Sequence, residues 1–390
     1  MIASLIRPEV QDFIAKNYNA DLNKLALSKN PFPEIPWNEI LNQIQAKIKA
    51  KEKLPTWFNT SNIIYPAKIS IEQTSSERTA AYKATLISGD SLIDLTGGFG
   101  IDNYYFARHF KQVTHCEIND TLSAVVAHNF KELQCAVECI PGDSHEILRR
   151  KDQKWDWIYI DPSRRNDAKG KVFMLKDCLP NVPDSLDFYF NYTSNILIKT
   201  APILDIKAGL SELQYVKNIY IIALDNEVKE LLWEIEKDYT GTIQLHAVAI
   251  TKEATAVFTT EFEDTRPATY ALPKKYLYEP NSAILKTGAF DAVSHIYRID
   301  KLHQHSHLYT ADRLIDFNGR RFSIEQVVPY QKKESKQYLE GKKLHVTTRN
   351  FPLSVEELRK KWKIKEGGDT YCFFTTNSNN EKIIVFCSKI

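Results

Sequence analysis

The chain has 390 residues, 43% of them hydrophobic and 26% charged, with 16 prolines and 13 glycines, a balance that sets aside the disordered and collagen-like classes and predicts two or three globular domains. No apolar run reaches the roughly eighteen residues of a spanning helix, and Arg7 interrupts the opening segment before a secretory core forms, so the expected location is the cytoplasm. The net charge of +2 conceals an asymmetry: residues 266–390 hold 22 Lys and Arg against 13 Asp and Glu, a net of +9, which leaves −7 for residues 1–265. A basic appendage gains by displacing counterions from phosphates and so points to nucleic acid, although a solvated basic surface accounts for the same count.

Residues 1–75 read as a helical lead-in. Pro8 stands in the first turn of one predicted helix, and Ile40, Leu41, Ile44 and Ile48 recur at helical spacing in a second. The stretch from Ser75 to Ala84 joins serine caps to good helix formers. From Ser91 the rhythm changes to short apolar runs separated by amphipathic stretches. The runs are 92–95, 113–117, 137–140, 157–161, 196–199 and 219–224. Strands alternating with helices predict right-handed crossovers and a mainly parallel sheet. The runs 244–250 and 256–262 lie too close together for a crossover, which predicts an antiparallel terminal hairpin. Between these elements, Asn226 to Trp233 has an Asn cap and helical apolar spacing, and a structural helix is expected there. After Arg266 a small α+β module is expected, with strands at 344–348, 371–376 and 382–387 and a helix near 354–362.

The strongest chemical signal is Asp94-Leu-Thr-Gly-Gly-Phe-Gly-Ile-Asp102, where a strand ends in an acid, glycines permit a tight turn, and a helix follows. Such a turn is where an α/β sheet cradles a ligand. A dinucleotide fingerprint counted from Gly98 and Gly100 would need glycine at 103, where Asn103 stands, and no Gly-Lys-Ser/Thr phosphate loop occurs. Two further acids follow apparent strands, Glu117 and the Asp143-Ser144 pair, and the fourth strand runs into Asp161-Pro162-Ser163-Arg164-Arg165. Each acid taken singly is also a loop-capping residue.

The segment from Asp94 to Gly100 resembles motif I of the class I S-adenosylmethionine-dependent methyltransferases, with Thr96 in place of the first glycine. The resemblance implies a Rossmann-like α/β domain over residues 76–265. It also implies S-adenosyl-L-methionine as cofactor, contacted by Asp94, Thr96, Gly97, Gly98, Gly100, Glu117, Asp143 and Ser144. Glu117 would take the ribose hydroxyls, since a carboxylate accepts two such bonds, and Asp143 the adenine amino group. Asp161 to Arg164 resembles motif IV, Asp/Asn-Pro-Pro-aromatic, of amino-methylating enzymes, with Ser163 and Arg164 in place of proline and the stacking aromatic. Asp161, Pro162, Ser163 and Arg164 are therefore the expected catalytic segment. Asp161 is the proton acceptor or orienter, Arg164 a stacking or phosphate-holding group, and Lys199 a weaker neighbour.

Through the stretch Ser75 to Ala84, Asp161-Pro-Ser-Arg-Arg, Tyr278-Glu-Pro-Asn-Ser-Ala-Ile and the closing α+β module, most of residues 60–390 resembles a bacterial group of methyltransferases in which the catalytic domain precedes a THUMP-like region. That resemblance implies a basic THUMP-like, ferredoxin-like module at 266–390 and an RNA partner, and a monomer is expected. The leading expectation is methylation of a base in ribosomal or transfer RNA. A protein or small-molecule methyltransferase and a non-catalytic RNA-binding factor remain open. No metal site is expected. The six cysteines, Cys116, Cys135, Cys139, Cys178, Cys372 and Cys387, form no Cys-x-x-Cys pair, Cys178 has no nucleophile signature, and His303, His305 and His307 read as a polar strand or loop.

Overall fold

The computed structural model describes residues 2–66, 71, 74–163 and 174–390, together with the backbone of Arg164. Arg165 and the side chain of Arg164, both singled out in the sequence, lie outside what is described. Two compact units divide the chain. One comprises Met1–Lys217 with Leu232–Thr240, the other Asn218–Leu231 with Gly241–Ile390.

In the first unit, helices at Pro8–Asn17 and Trp37–Lys53 occupy the expected places, with Pro8 at the helix start and Ile40 and Ile44 fully buried. Ser76 caps the helix Glu77–Ala84 by accepting from the Thr79 N–H. The strands are β1 (Ser91–Asp94), β2 (Gln112–Glu117), β3 (Glu138–Pro141), β4 (Trp157–Ile160), the two-residue β5 (Ser163–Arg164) and β6 (Cys178–Leu179), and β7 (Asn195–Thr200). Five of them stand in the order β7–β4–β1–β2–β3, each neighbouring pair parallel. Ile93, Ile158, Ile160, Leu197 and Ile198 are fully buried in the middle of this sheet, as crossover helices on its faces require. The chain moves outward from β1 to β2 and β3, then returns to place β4 on the other side of β1. This reversal opens a crevice at the carboxyl ends of β1 and β4, where open α/β sheets take their ligands.

The expected helix at Asn226–Trp233 is not formed. Strand β8 spans Val216–Leu224 and β9 spans Glu227–Glu236, joined through Asp225 and Asn226 at φ +49° and +65°. Two consecutive residues with positive φ make a tight two-residue hairpin turn, so Asn226 is a turn residue and not a helix cap.

In the second unit β10 (Gln244–Ile250) pairs parallel with β8 from Asn218 onward and antiparallel with β11 (Thr255–Glu261), the expected terminal hairpin. A separate seven-stranded sheet follows, built from β12 (Tyr276–Pro280), β13 (Asp300–Lys301), β14 (Tyr309–Ala311), β15 (Gly319–Pro329), β16 (His345–Thr348), β17 (Thr370–Thr376) and β18 (Lys382–Lys389). Its order is β13–β14–β12–β15–β18–β17–β16. Leu339, Leu358 and Trp362 of the helices Lys332–Leu339 and Val355–Trp362 pack in one cluster with Phe374 and Ile384, while Leu277, Phe322, Phe373 and Val385 belong to another.

Candidate functional site

The turn after β1 is held from beneath. Asp94 is 1% exposed, and its Oδ1 accepts from the Thr96 N–H at 2.8 Å and the Thr96 hydroxyl at 3.1 Å, while Oδ2 accepts from Asn103 Nδ2 at 2.6 Å. Burial raises its pKa to about 7, against the pull of these hydrogen bonds. Asp94 is thus a brace under the loop. Thr96, which replaces a glycine of the resembled motif, has a job of its own: its hydroxyl also accepts from the Asp161 N–H at 2.6 Å. One side chain therefore ties the end of β1 to the end of β4.

Two glycines in the turn serve for different reasons, Gly97 for space and Gly98 for its left-handed backbone. A Cβ on Gly97 would lie 2.3 Å from the ring of His115, whose Nε2 sits 3.1 Å from the Gly98 carbonyl and whose pKa burial lowers to about 4. Gly98 has φ +54°, and a Cβ there would meet nothing nearer than the Thr96 carbonyl at 3.8 Å, so the turn is open above Gly98. The Gly98 N–H donates to Glu117 Oε2 at 3.0 Å, and Glu117 Oε1 accepts from the Asn119 N–H at 2.8 Å. Each carboxylate oxygen keeps a further lone pair for a hydroxyl donor. Gly100 starts the helix Ile101–Phe106.

Asp143 caps the helix Ser144–Lys151, its Oδ1 accepting from the His145 and Glu146 N–H groups at 2.9 and 3.1 Å, with Ser144 as the first helical residue. Ile118, directly after Glu117, is 75% exposed, a large apolar side chain beside a polar turn. After β4, Asp161 Oδ2 accepts from Lys199 Nζ at 2.5 Å, and its Oδ1 accepts no bond from the described residues. Pro162 is buried. Ser163 is exposed and pairs with Leu179 in the β5–β6 ladder, and Arg164 pairs with Cys178. Cys178 is buried, in keeping with a structural role.

Sequence reasoning missed the polar network behind Asp161. Lys199 Nζ also donates to Ser75 Oγ at 3.3 Å. Ser75 in turn donates to Asp102 Oδ2 at 3.1 Å, and Asp102 Oδ1 accepts from Lys83 Nζ at 2.9 Å. The Tyr159 hydroxyl donates to Asp102 Oδ2 at 2.9 Å. Burial alone would raise the pKa of Asp102, but Lys83 and Lys199 together hold it below the usual carboxylate value. The partners lie as far as 124 residues apart, and no local pattern announces them. Lys83 was visible only as a helix former, and Asp102 only as the residue closing the glycine turn.

In the second unit the three histidines lie in the loop between β13 and β14, the loop form of the expected polar strand or loop. His303 contacts Asn380 and Asn350 at 3.0 Å, and His307 stacks on Phe290 with ring centroids 3.6 Å apart. No group of His, Cys, Asp and Glu able to hold a metal occurs among the described residues, and no described helix is long and apolar enough to cross a membrane.

Comparison with known proteins adds family information to this geometry. Residues 319–389 match a family model described as THUMP domain-like, and residues 276–317 match one described as a ferredoxin-like domain. None of the curated proteins matches the chain. Among solved structures, the chain is similar to a candidate methyltransferase from Porphyromonas gingivalis W83, with 30% identity over 99% of this chain and 98% of that one and a TM-score of 0.88. It is more distantly similar to M. capricolum TrmK in complex with S-adenosyl-homocysteine, with 16% identity over 41% of this chain and 68% of that one and a TM-score of 0.33. Another distant likeness is to the T. thermophilus 16S rRNA N2 G1207 methyltransferase RsmC, with 12% identity, 42% and 44% coverage and a TM-score of 0.33.

Proposed function

The chain belongs to the family of the Porphyromonas gingivalis W83 protein, class I methyltransferases with a C-terminal THUMP-like domain, and we propose that it uses S-adenosylmethionine to methylate a base of ribosomal or transfer RNA. The observation that carries this reading is the pair of bonds joining three strand ends: Gly98 N–H to Glu117 from β1 to β2, and Asp161 N–H to Thr96 from β4 to β1. They gather the glycine turn, the acid and the acceptor-side aspartate at one topological switch point.

The residues present fit the cofactor. The turn above Gly98 is open, Glu117 retains acceptor capacity for two ribose hydroxyls, and Ile118 offers an apolar surface for a purine ring beside Asp143. Asp94 and Thr96 shape the loop. Gly97, Gly98, Gly100, Glu117, Asp143 and Ser144 are the groups assigned to hold the cofactor. When bound, S-adenosylmethionine supplies an activated methyl group on a sulfonium with a neutral leaving group. The chain then has to position the acceptor and receive a proton. Asp161 does so: Lys199 holds one carboxylate oxygen, and the other is available to accept a hydrogen bond from the target nitrogen.

The THUMP-like match and the +9 charge of residues 266–390 support RNA as substrate. The absence of the motif's stacking aromatic, in whose place Arg164 stands, favours instead a protein or small-molecule acceptor. Comparing modified nucleosides in RNA from cells with and without the gene separates the two, because loss of one methylated base is expected only on the RNA reading. Glu117→Ala should weaken S-adenosylhomocysteine binding by about 1.5–3 kcal/mol in calorimetry. Unchanged affinity would remove Glu117 from the cofactor site.

A further inference from the structure

The second unit holds a charged cluster that the methyl-transfer crevice does not use. Glu279, on β12, has a side chain only 4% exposed, and both of its oxygens are taken by arginines. Arg320, opposite it on β15, donates to Oε2 through Nε at 2.5 Å and also through Nη2. Arg349, just after β16, donates to Oε1 through Nη2 at 2.7 Å. One guanidinium suffices to neutralise a buried carboxylate, so two leave a surplus of one positive charge. The neighbouring ion pair of Lys301 with Asp291, at 2.7 Å, cancels internally and does not offset this surplus.

The surplus reaches the surface with donors to spare. The side chains of Arg320 and Arg349 are 39% and 35% exposed, and Arg320 lies over the rings of Phe322 and Phe373 at 5.5 and 5.9 Å, which fixes its plane. The Nε–H of Arg349 is buried and meets no acceptor among the described residues, and the same holds for Nδ1 of His307. The Nη groups of both arginines that Glu279 does not take are the donors left for an incoming anion. The imidazole of His307 reports the local field. Burial lowers its pKa to about 4, and Lys301, Arg349 and His305 all act in the same direction against the single opposing carboxylate of Asp291. A partly exposed pair of arginines with surplus positive charge and planar forked donors has the chemistry of phosphate recognition.

We propose that Arg320 and Arg349, held in place by Glu279, form a phosphate-binding site in the second unit. Its phosphate comes from the RNA backbone, an assignment that rests on the RNA reading above. Glu279 acts as a positioning residue: it sets the two guanidinium planes and touches no ligand itself. The site gives the basic region one defined anchor in place of a diffuse positive surface.

The test uses the full chain and two probes, a fluorescein-labelled single-stranded oligoribonucleotide followed by anisotropy and inorganic phosphate followed by calorimetry. Arg349→Gln is expected to weaken both by about tenfold or more, as loss of a charge-assisted pair of bonds implies. Lys332→Gln, on an exposed helix of the same unit, should weaken only the oligonucleotide and by less. Removing an arginine also unsettles buried Glu279, so Glu279→Gln supplies the complementary measurement. It keeps the side-chain size and one accepting oxygen, raises the cluster to +2, and should tighten phosphate by about threefold or more. Equal affinities in wild type and a folded Arg349→Gln, or no tightening in a folded Glu279→Gln, overturn the site. RNA methylation and binding that ignore Arg349→Gln would sink the site and leave the RNA reading intact. Phosphate binding that follows the variants without any oligonucleotide binding would keep the site and remove RNA as the source.

Discussion

In the first unit Lys83 and Lys199 stand against Asp102 and Asp161, two charges against two, and the side chains of Lys83 and Lys199 are 0% and 12% exposed. In the second, Arg320 and Arg349 share the single carboxylate of Glu279 and reach the surface. The physical difference lies in what each arrangement can do. A balanced, buried network gains nothing from a further ion and spends its hydrogen bonds on holding positions, here Asp161 relative to the turn after β1. An unbalanced cluster at the surface attracts a counter-charge. Chemistry and affinity are thereby assigned to different units, and each assignment can be broken separately.

The largest effect is expected from Lys83→Met. It leaves Asp102 buried without its nearest cation and should lower stability by about 3–5 kcal/mol in urea unfolding. The double variant Lys83→Met/Asp102→Asn should recover part of that loss, and no recovery would mean that Lys83 acts through packing and not through charge balance. Asp161→Ala comes next. Turnover should fall by on the order of a hundredfold with S-adenosylhomocysteine affinity unchanged, whereas an equal loss of affinity would place Asp161 in the cofactor site.

Asp94 sharpens the comparison from within the first unit, because it is a buried acid with no cation on it. Its folded pKa of about 7 lies above the unfolded value of about 3.9. The stabilising proton is therefore fully present below about pH 4, and its contribution is lost as pH rises through about 7. Asp94→Asn should flatten that slope, and the buried Asn103 Oδ1, which meets no donor, can accept the new amide N–H. Chemical unfolding across pH 4–8 decides it; an unchanged slope would assign the titration elsewhere. The smallest effect concerns salt. If about four cations of the second unit meet phosphates of single-stranded RNA, log affinity should fall against log salt with a slope of roughly −3. Replacing the exposed pair Lys332 and Lys333 by Gln should make that slope shallower by about one. A slope near zero in filter binding would leave the basic half a solvated surface.

Where periodicity and turn chemistry are local, the elements were legible in the chain. The runs around Ile93, Val113, Ile158 and Leu197 became buried parallel strands, and the short gap before Thr255 became a hairpin. Two misses share a local cause. Asn226 reads as a cap until Asp225 is seen to share its positive φ, which turns the chain back as a hairpin. Strand β15 escaped notice because its alternation breaks at a register shift between Ile324 and Gln326: Phe322 packs in one core cluster and Val328 in another, although an even spacing would place both on one face.

By itself the amino-acid sequence determined the glycine turn, the acids that follow the strands and the basic surplus after Arg266, because each depends on residue type and short spacing. Only the tertiary structure decided which partners those groups have. Ser75 meets Lys199 across 124 residues of chain, Thr96 meets Asp161 across 65, and Arg349 meets Glu279 across 70. Hydrogen bonds and ion pairs act over a few ångströms of space irrespective of separation along the chain, so the network behind Asp161 and the paired arginines on Glu279 exist only once the sheets have brought their strands together.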